Sequence, residues 1–179
     1  SGWMPTFPVL YGDHVCMNAF HSSITFLDAY RKGLKRFDIS KAYDGMRKNA
    51  TEATMLPWRN GVKTILDDFY HQKGYFPAIE SGAKETVLEV HSFEKRQAVA
   101  VTLGNSYDDW ALGQLGKDLG KNDAGTFLLR GLNYKNLFVS AFFQGAARSD
   151  LMLTGEYLGA GFSDGTFFTQ PFKWGANTP

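Results

Sequence analysis

The chain has 179 residues, 44% hydrophobic and 21% charged, and its 19 basic and 18 acidic side chains leave a net charge of +1. That balance excludes wholesale disorder and, without a basic block, strong attraction to nucleic acid or an anionic membrane. Apolar runs stay far below the roughly 20 residues that span a bilayer, and a lone cysteine, Cys16, allows neither an internal disulfide nor a cysteine-rich metal site.

Residues 1–16 read as an irregular lead-in, because Pro5 and Pro8 oppose helix and Gly12-Asp13 signals a turn. The start, Ser1-Gly2-Trp3-Met4, has no initiator Met and no signal-peptide pattern, as expected of a processed or internal start. Phe20, Ile24, Leu27 and Tyr30 recur at helical spacing and predict a helix over 17–32, stopped by Gly33. Asp38 is placed to cap the next helix, with Phe37 and Ala42 as a staple and Ile39, Tyr43 and Met46 on one apolar face. Only about five residues join the two helices, which implies an antiparallel αα-hairpin.

After the loop Pro57-Trp58-Arg59-Asn60-Gly61, the pattern Val62, Ile65, Leu66, Phe69 predicts a helix over 62–72, ended by Gly74. Within it, Asp67-Asp68 reads as part of a solvated face. Thr86 to Val90 could form a short strand in the following connection. A long helix is expected over 93–119, with an apolar stripe of Ala100, Leu103, Tyr107, Trp110, Leu115 and Leu119. Gly104 and Gly113 weaken it, by roughly 1 kcal/mol each relative to Ala. Gly120 stops it, Asp123 is placed to cap another helix, and Phe127, Leu128 and Leu132 pack that one as far as Phe138. Residues 139–179 are punctuated by glycines among short aromatic pieces and read as turns with short strands. The whole suggests a mainly α fold built from repeated αα-hairpins, closing as a toroid or stacking as a solenoid.

Several segments, taken in order, are more specific than any of these patterns. They are Gly2-Trp3-Met4-Pro5-Thr6-Phe7-Pro8, Cys16-Met17 with His21, and Gly74-Tyr75-Phe76-Pro77-Ala78. Ala98 to Leu103 leading into Tyr107-Asp108-Asp109-Trp110 is the most specific, and Asn133 to Phe138 follows. In this succession the chain resembles glycoside hydrolase family 92, the calcium-dependent exo-α-mannosidases, over most of its length. It departs at Leu103-Gly104, where members commonly have Leu-Glu, and at Phe20, where a Tyr, Asp or Asn often precedes the histidine.

The resemblance implies that residues 1–179 are a fragment of a six-hairpin (α/α) catalytic toroid: lead-in 1–16, hairpins 17–138, loops 139–179. It implies a parent enzyme, periplasmic or secreted, that hydrolyses terminal α-mannosides of an oligosaccharide by an inverting mechanism assisted by Ca2+. The family's acid Glu and base Asp are expected beyond Pro179, so no catalytic residue carries over and the fragment is expected to be inactive. It should bind no metal itself, and its orphaned helical faces are expected to self-associate.

His21, opening a helix, could bond backbone carbonyls or reach a sugar hydroxyl. Asp108 and Asp109 could bond neighbouring loops or line the sugar pocket; adjacent side chains on a helix diverge by about 100°, so both aiming at one ligand is difficult. Trp58 and Arg59 suit sugar stacking with hydroxyl bonding, or plain packing of Arg on Trp. His14 and Asp13 could be rim residues, and Glu85, Glu89 and Glu94 surround His91 in a charged connection. The four histidines show no close helical pair, which disfavours zinc. A non-catalytic helical glycan- or protein-binding domain, or a toroidal glycosidase acting on glucosides, are the alternatives.

Overall fold

The computed structural model describes residues 2–14, 20–80, 82–140, 156–158 and 161–166. Cys16-Met17 and most of 139–179 lie outside them; the first helix starts at Ser22, behind His21 as its N-cap, rather than at 17. Within the described residues the protein is mainly helical: α1 (Ser22–Arg31), α2 (Ile39–Glu52), α3 (Ile65–Lys73), α4 (Ala98–Asp118) and α5 (Ala124–Arg130), then a 3-10 turn at Asn133–Leu137. Two small antiparallel pairs accompany them, β1 (Pro8–Val9) with β2 (Gly12–Asp13) and β3 (Phe138–Ser140) with β4 (Glu156–Leu158). The lead-in thus holds a tight hairpin, pinned where the Asp13 carboxylate accepts from the Thr6 and Phe7 N–H groups. No helix among the described residues is long and apolar enough to cross a membrane.

The glycine stops act as expected. Gly33 has φ +82 and Leu34 N–H reaches back to Ala29 O; Gly120, at φ +68, ends α4 the same way through Lys121 N–H to Gly116 O. Only glycine takes this left-handed turn without a Cβ penalty. Asp38 caps α2 by accepting from Lys41 N–H. Asp123, however, makes no side-chain cap to α5. Its carboxylate accepts from Tyr43 Oη at 2.6 Å and Arg47 Nε at 2.7 Å, tying α2 to the start of α5.

α4 is the central element, and α1, α2 and α5 pack on it. Its C-terminal half joins Leu27, Tyr43, Met46 and Phe127 in one core cluster, while its N-terminal half joins Phe20, Leu56, Tyr70 and Phe76 in another. The predicted stripe on α4 holds at its C-terminal end, where Leu115 is buried and Leu119 packs on the core, but fails before it: Tyr107 and Trp110 are exposed and stack on each other, 5.7 Å apart. The buried face is Val101, Thr102, Asn105, Ser106, Asp108, Asp109, Leu112 and Leu115. It tolerates burial because its polar groups are satisfied. Thr102, Asn105 and Ser106 each donate to the carbonyl four residues back, and Thr102 Oγ1 also accepts from Phe76 N–H.

α4 starts at Ala98 rather than 93, since Lys95 and Gln97 take φ +58 and +47. The segment 86–90 is a turn, not a strand. Glu85 accepts from the Thr86 and Val87 N–H groups and pairs with Arg96 at 2.6 Å, an arrangement incompatible with an extended ladder.

Gly113 and Gly131 permit the close crossing of α4 and α5. A Cβ on Gly113 would lie 2.7 Å from Leu128 N, and one on Gly131 2.8 Å from Trp110 Cβ. Gly113→Ala should therefore destabilise by about 1–3 kcal/mol despite its better helix propensity, because backbone cannot step aside cheaply. Gly125→Ala, with nothing within 4 Å, should instead gain up to about 1 kcal/mol. Urea unfolding of the two variants checks the contrast.

Candidate functional site

Of the residues singled out by sequence, the structure brings His21 and Asp108 together. His21 stands at the N-cap of α1, and its Nδ1 lies 3.0 Å from Asp108 Oδ1 on α4. The imidazole is 59% exposed while the carboxylate is only 5% exposed. The second Asp108 oxygen accepts from Phe20 N–H, so both oxygens are engaged and the ring is oriented. The hydrogen bond from Asp108 raises the His21 pKa, more than partial burial lowers it. Burial pushes Asp108 up as well, partly opposed by His21. The neutral ring beside the ionised carboxylate carries its proton on Nδ1, leaving Nε2 as a half-exposed acceptor; the charged ring donates from both nitrogens.

Asp109 points elsewhere, as the divergence along a helix requires. It accepts from Arg130 Nε at 3.0 Å and lies 3.5 Å from Tyr70 Oη. Burial raises its pKa to about 7, against the pull of Arg130. Arg130 also donates to Ala50 O at 2.8 Å. Asp109 is therefore a structural hub between α4, α5 and the end of α2, with partners distinct from those of Asp108.

Trp58 and Arg59 sit on the loop between α2 and α3. Asp67, read from sequence as part of a solvated face, is fully buried and organises this loop. It accepts from Met55 N–H, Thr54 Oγ1, Thr64 N–H and Thr64 Oγ1, all within 2.9 Å. The Thr64-to-Asp67 spacing is a capping-box signature, the signal that could have found it. It also explains why α3 begins at Ile65 and buries Leu66 and Tyr70, leaving Val62 and Ile65 exposed. Met55, Leu56 and Pro57 are buried, and Trp58 follows at φ +59, 41% exposed. A bulky residue in that conformation stores about 1–3 kcal/mol of strain and calls for a reason. The Arg59 Nε is buried without a hydrogen-bond partner.

Glu85 is committed to Arg96, and this ion pair holds its pKa down. Among the described residues, no three His, Cys, Asp or Glu side chains converge as a metal site. The carboxylates of Asp67, Asp108 and Asp109 are taken by protein donors, so these residues do not fit the oxygen-rich shell of calcium.

Five helices, α1, α2 and α5 among them packed on α4, are consistent, as a class, with part of an (α/α) toroidal domain. The comparisons with known proteins agree. The model of the glycosyl hydrolase family 92 catalytic domain matches residues 1–178. The fold is similar to the family 92 α-mannosidase of Bacteroides thetaiotaomicron, solved alone and in complex with mannoimidazole. In both cases the TM-score is 0.67 and the identity 23%, covering 96% of this chain and 18% of the other. No curated protein matches. The chain belongs to glycosyl hydrolase family 92 and spans about a fifth of the solved relative.

Proposed function

We propose that the chain forms part of the wall of the sugar cleft in a family 92 glycosidase that hydrolyses terminal α-mannosides. The observation that carries this reading is the His21–Asp108 pair: a half-exposed imidazole held by a buried carboxylate at the mouth of α1, within the family's catalytic domain. The mannoimidazole complex of the solved relative supports a mannose-like ligand. His21 would touch a sugar hydroxyl, and Asp108 is a positioning residue acting through it.

In an inverting reaction one carboxylic acid protonates the leaving oxygen while another activates water, at a separation of roughly 6.5–9.5 Å. Asp108 and Asp109 are committed to structural partners, so we assign both roles to other residues of the catalytic domain. Calcium, which the family resemblance implies, would equally be held by residues other than those described. The 179-residue chain alone is accordingly expected not to turn over an aryl α-mannoside.

In the full-length protein, His21→Ala should lower kcat/KM for an aryl α-mannoside by about tenfold to a hundredfold. Asp108→Asn should bring the His21 pKa back down toward its ordinary value, visible by NMR titration of the ring protons. A full-length protein inactive on every α-mannoside, or a His21 titration indifferent to Asp108→Asn, would remove this reading.

A further inference from the structure

Three segments far apart in sequence bring rings to Trp58. His14, at the end of the β1–β2 hairpin, meets the indole edge-on, with centroids 5.9 Å apart and planes at 88°. His91 lies 6.2 Å away, its plane tilted 30° to that of the indole. All three rings are exposed. Two of them follow core anchors: Leu56 precedes Pro57-Trp58 and Val90 precedes His91, and both anchors pack in the cluster that holds Phe20, the residue before His21. The candidate sugar contact and this aromatic group therefore grow out of one hydrophobic cluster.

The tautomer of His91 is set by backbone N–H groups two and three residues on. Its Nδ1 accepts from Phe93 N–H at 3.3 Å and Glu94 N–H at 3.1 Å. The neutral ring must then carry its proton on Nε2, a donor available to a ligand. Asp67 and the buried Met55-Leu56-Pro57 run hold the Trp58 backbone left-handed, which turns the indole out of the core. Strain that the surroundings enforce, at an exposed aromatic, points from structure to use.

We propose that Trp58, flanked by His14 and His91, is a stacking subsite for a pyranose unit of the glycan other than the terminal mannose. The apolar C–H face of the sugar lies on the indole, and a hydroxyl accepts from His91 Nε2. The subsite rests on the glycan-cleft reading of this chain but assigns residues and a ligand unit which that reading lacks.

The test is calorimetric titration of the 179-residue chain with methyl α-mannopyranoside, a linear α-linked mannotriose and maltotriose. Wild-type protein should bind mannotriose more tightly than the monosaccharide. Trp58→Gly, which suits the left-handed backbone, should weaken mannotriose by about tenfold, the value of one aromatic contact, with Tm unchanged or raised. His91→Ala should weaken it severalfold. Mannotriose binding unaffected by Trp58→Gly, or absent from the wild type together with maltotriose binding, overturns the proposal. Should Trp58→Gly fail to fold, His91→Ala and Trp58→Tyr decide: weakened binding sustains the subsite and unchanged binding ends it. Maltotriose bound by the wild type in preference to mannotriose, and lost in Trp58→Gly, keeps the stacking subsite but defeats the mannoside reading.

Discussion

Asp67→Ala should destabilise the chain by about 3–5 kcal/mol, among the largest effects of any single substitution here. The carboxylate is fully buried and accepts from two backbone N–H groups and two hydroxyls. Alanine would leave the Met55 and Thr64 N–H groups without an acceptor in a dry environment, at about 1–3 kcal/mol each. It would also remove half of the capping box that starts α3. Asp67→Asn should cost less, since its amide keeps one acceptor oxygen, yet more than a surface change, since its NH2 would face donors. Urea unfolding measures both. A loss below about 1 kcal/mol for the alanine variant would contradict the bonding pattern described. The same substitution should release the Trp58 loop, so proteolytic nicking near residues 57–61 should rise with it.

Arg130→Met is expected to show a cost that depends on pH. Arg130 pairs with the buried Asp109, donates to Ala50 O, and lies 5.4 Å from the Phe127 ring and 6.0 Å from that of Tyr70. Methionine keeps much of the apolar stem but leaves the carboxylate alone. The folded pKa of Asp109 is already raised to about 7 by burial, and loss of the cation would raise it further. A carboxyl whose folded pKa lies above its unfolded value stabilises the fold fully below the unfolded pKa, and that contribution is lost as pH rises through the folded one. The variant should thus lose about 3–5 kcal/mol at pH 8, where Asp109 must be buried charged or protonated against the bulk. At pH 5 the neutral carboxyl fits, and the loss should shrink to about 1–2 kcal/mol for the missing hydrogen bonds. His71, whose half-buried ring is held down to about 4 mainly by desolvation, costs stability in both proteins as pH falls below its unfolded value, so most of that contribution cancels in the difference between them. Without Arg130 nearby, His71 would lose less, which acts in the same direction. A loss independent of pH would show that Asp109 keeps its charge by other means.

Local signals were legible where the chain needs only its neighbours. Gly33, Gly74 and Gly120 end helices because each sits at a left-handed position. Asp38 caps α2 with its own side chain. The Thr64–Asp67 box was equally local but was read as an exposed acidic pair, since two adjacent carboxylates suggest solvent when partners are unknown. The phase of α4 was legible only at Leu115 and Leu119, because both faces of its N-terminal half carry enough apolar residues to pass for the core. What buries the Asp108 face is the set of partners that satisfy it: Phe20 N–H, His21, Arg130 and the helix carbonyls.

The sequence by itself determined the helical class, the stops at Gly33, Gly74 and Gly120 and the family, because these depend on residue types and spacings along the chain; the helix expected as far as Phe138 ends instead at Arg130 and gives way to the 3-10 turn. Only the tertiary structure decided that Asp108 serves His21 while Asp109 serves Arg130, and that His14 and His91 meet at Trp58. These pairings cross separations of up to 87 residues. They exist because packing around α4 brings distant donors to buried acceptors, where an unsatisfied polar group would cost more than the fold can spare.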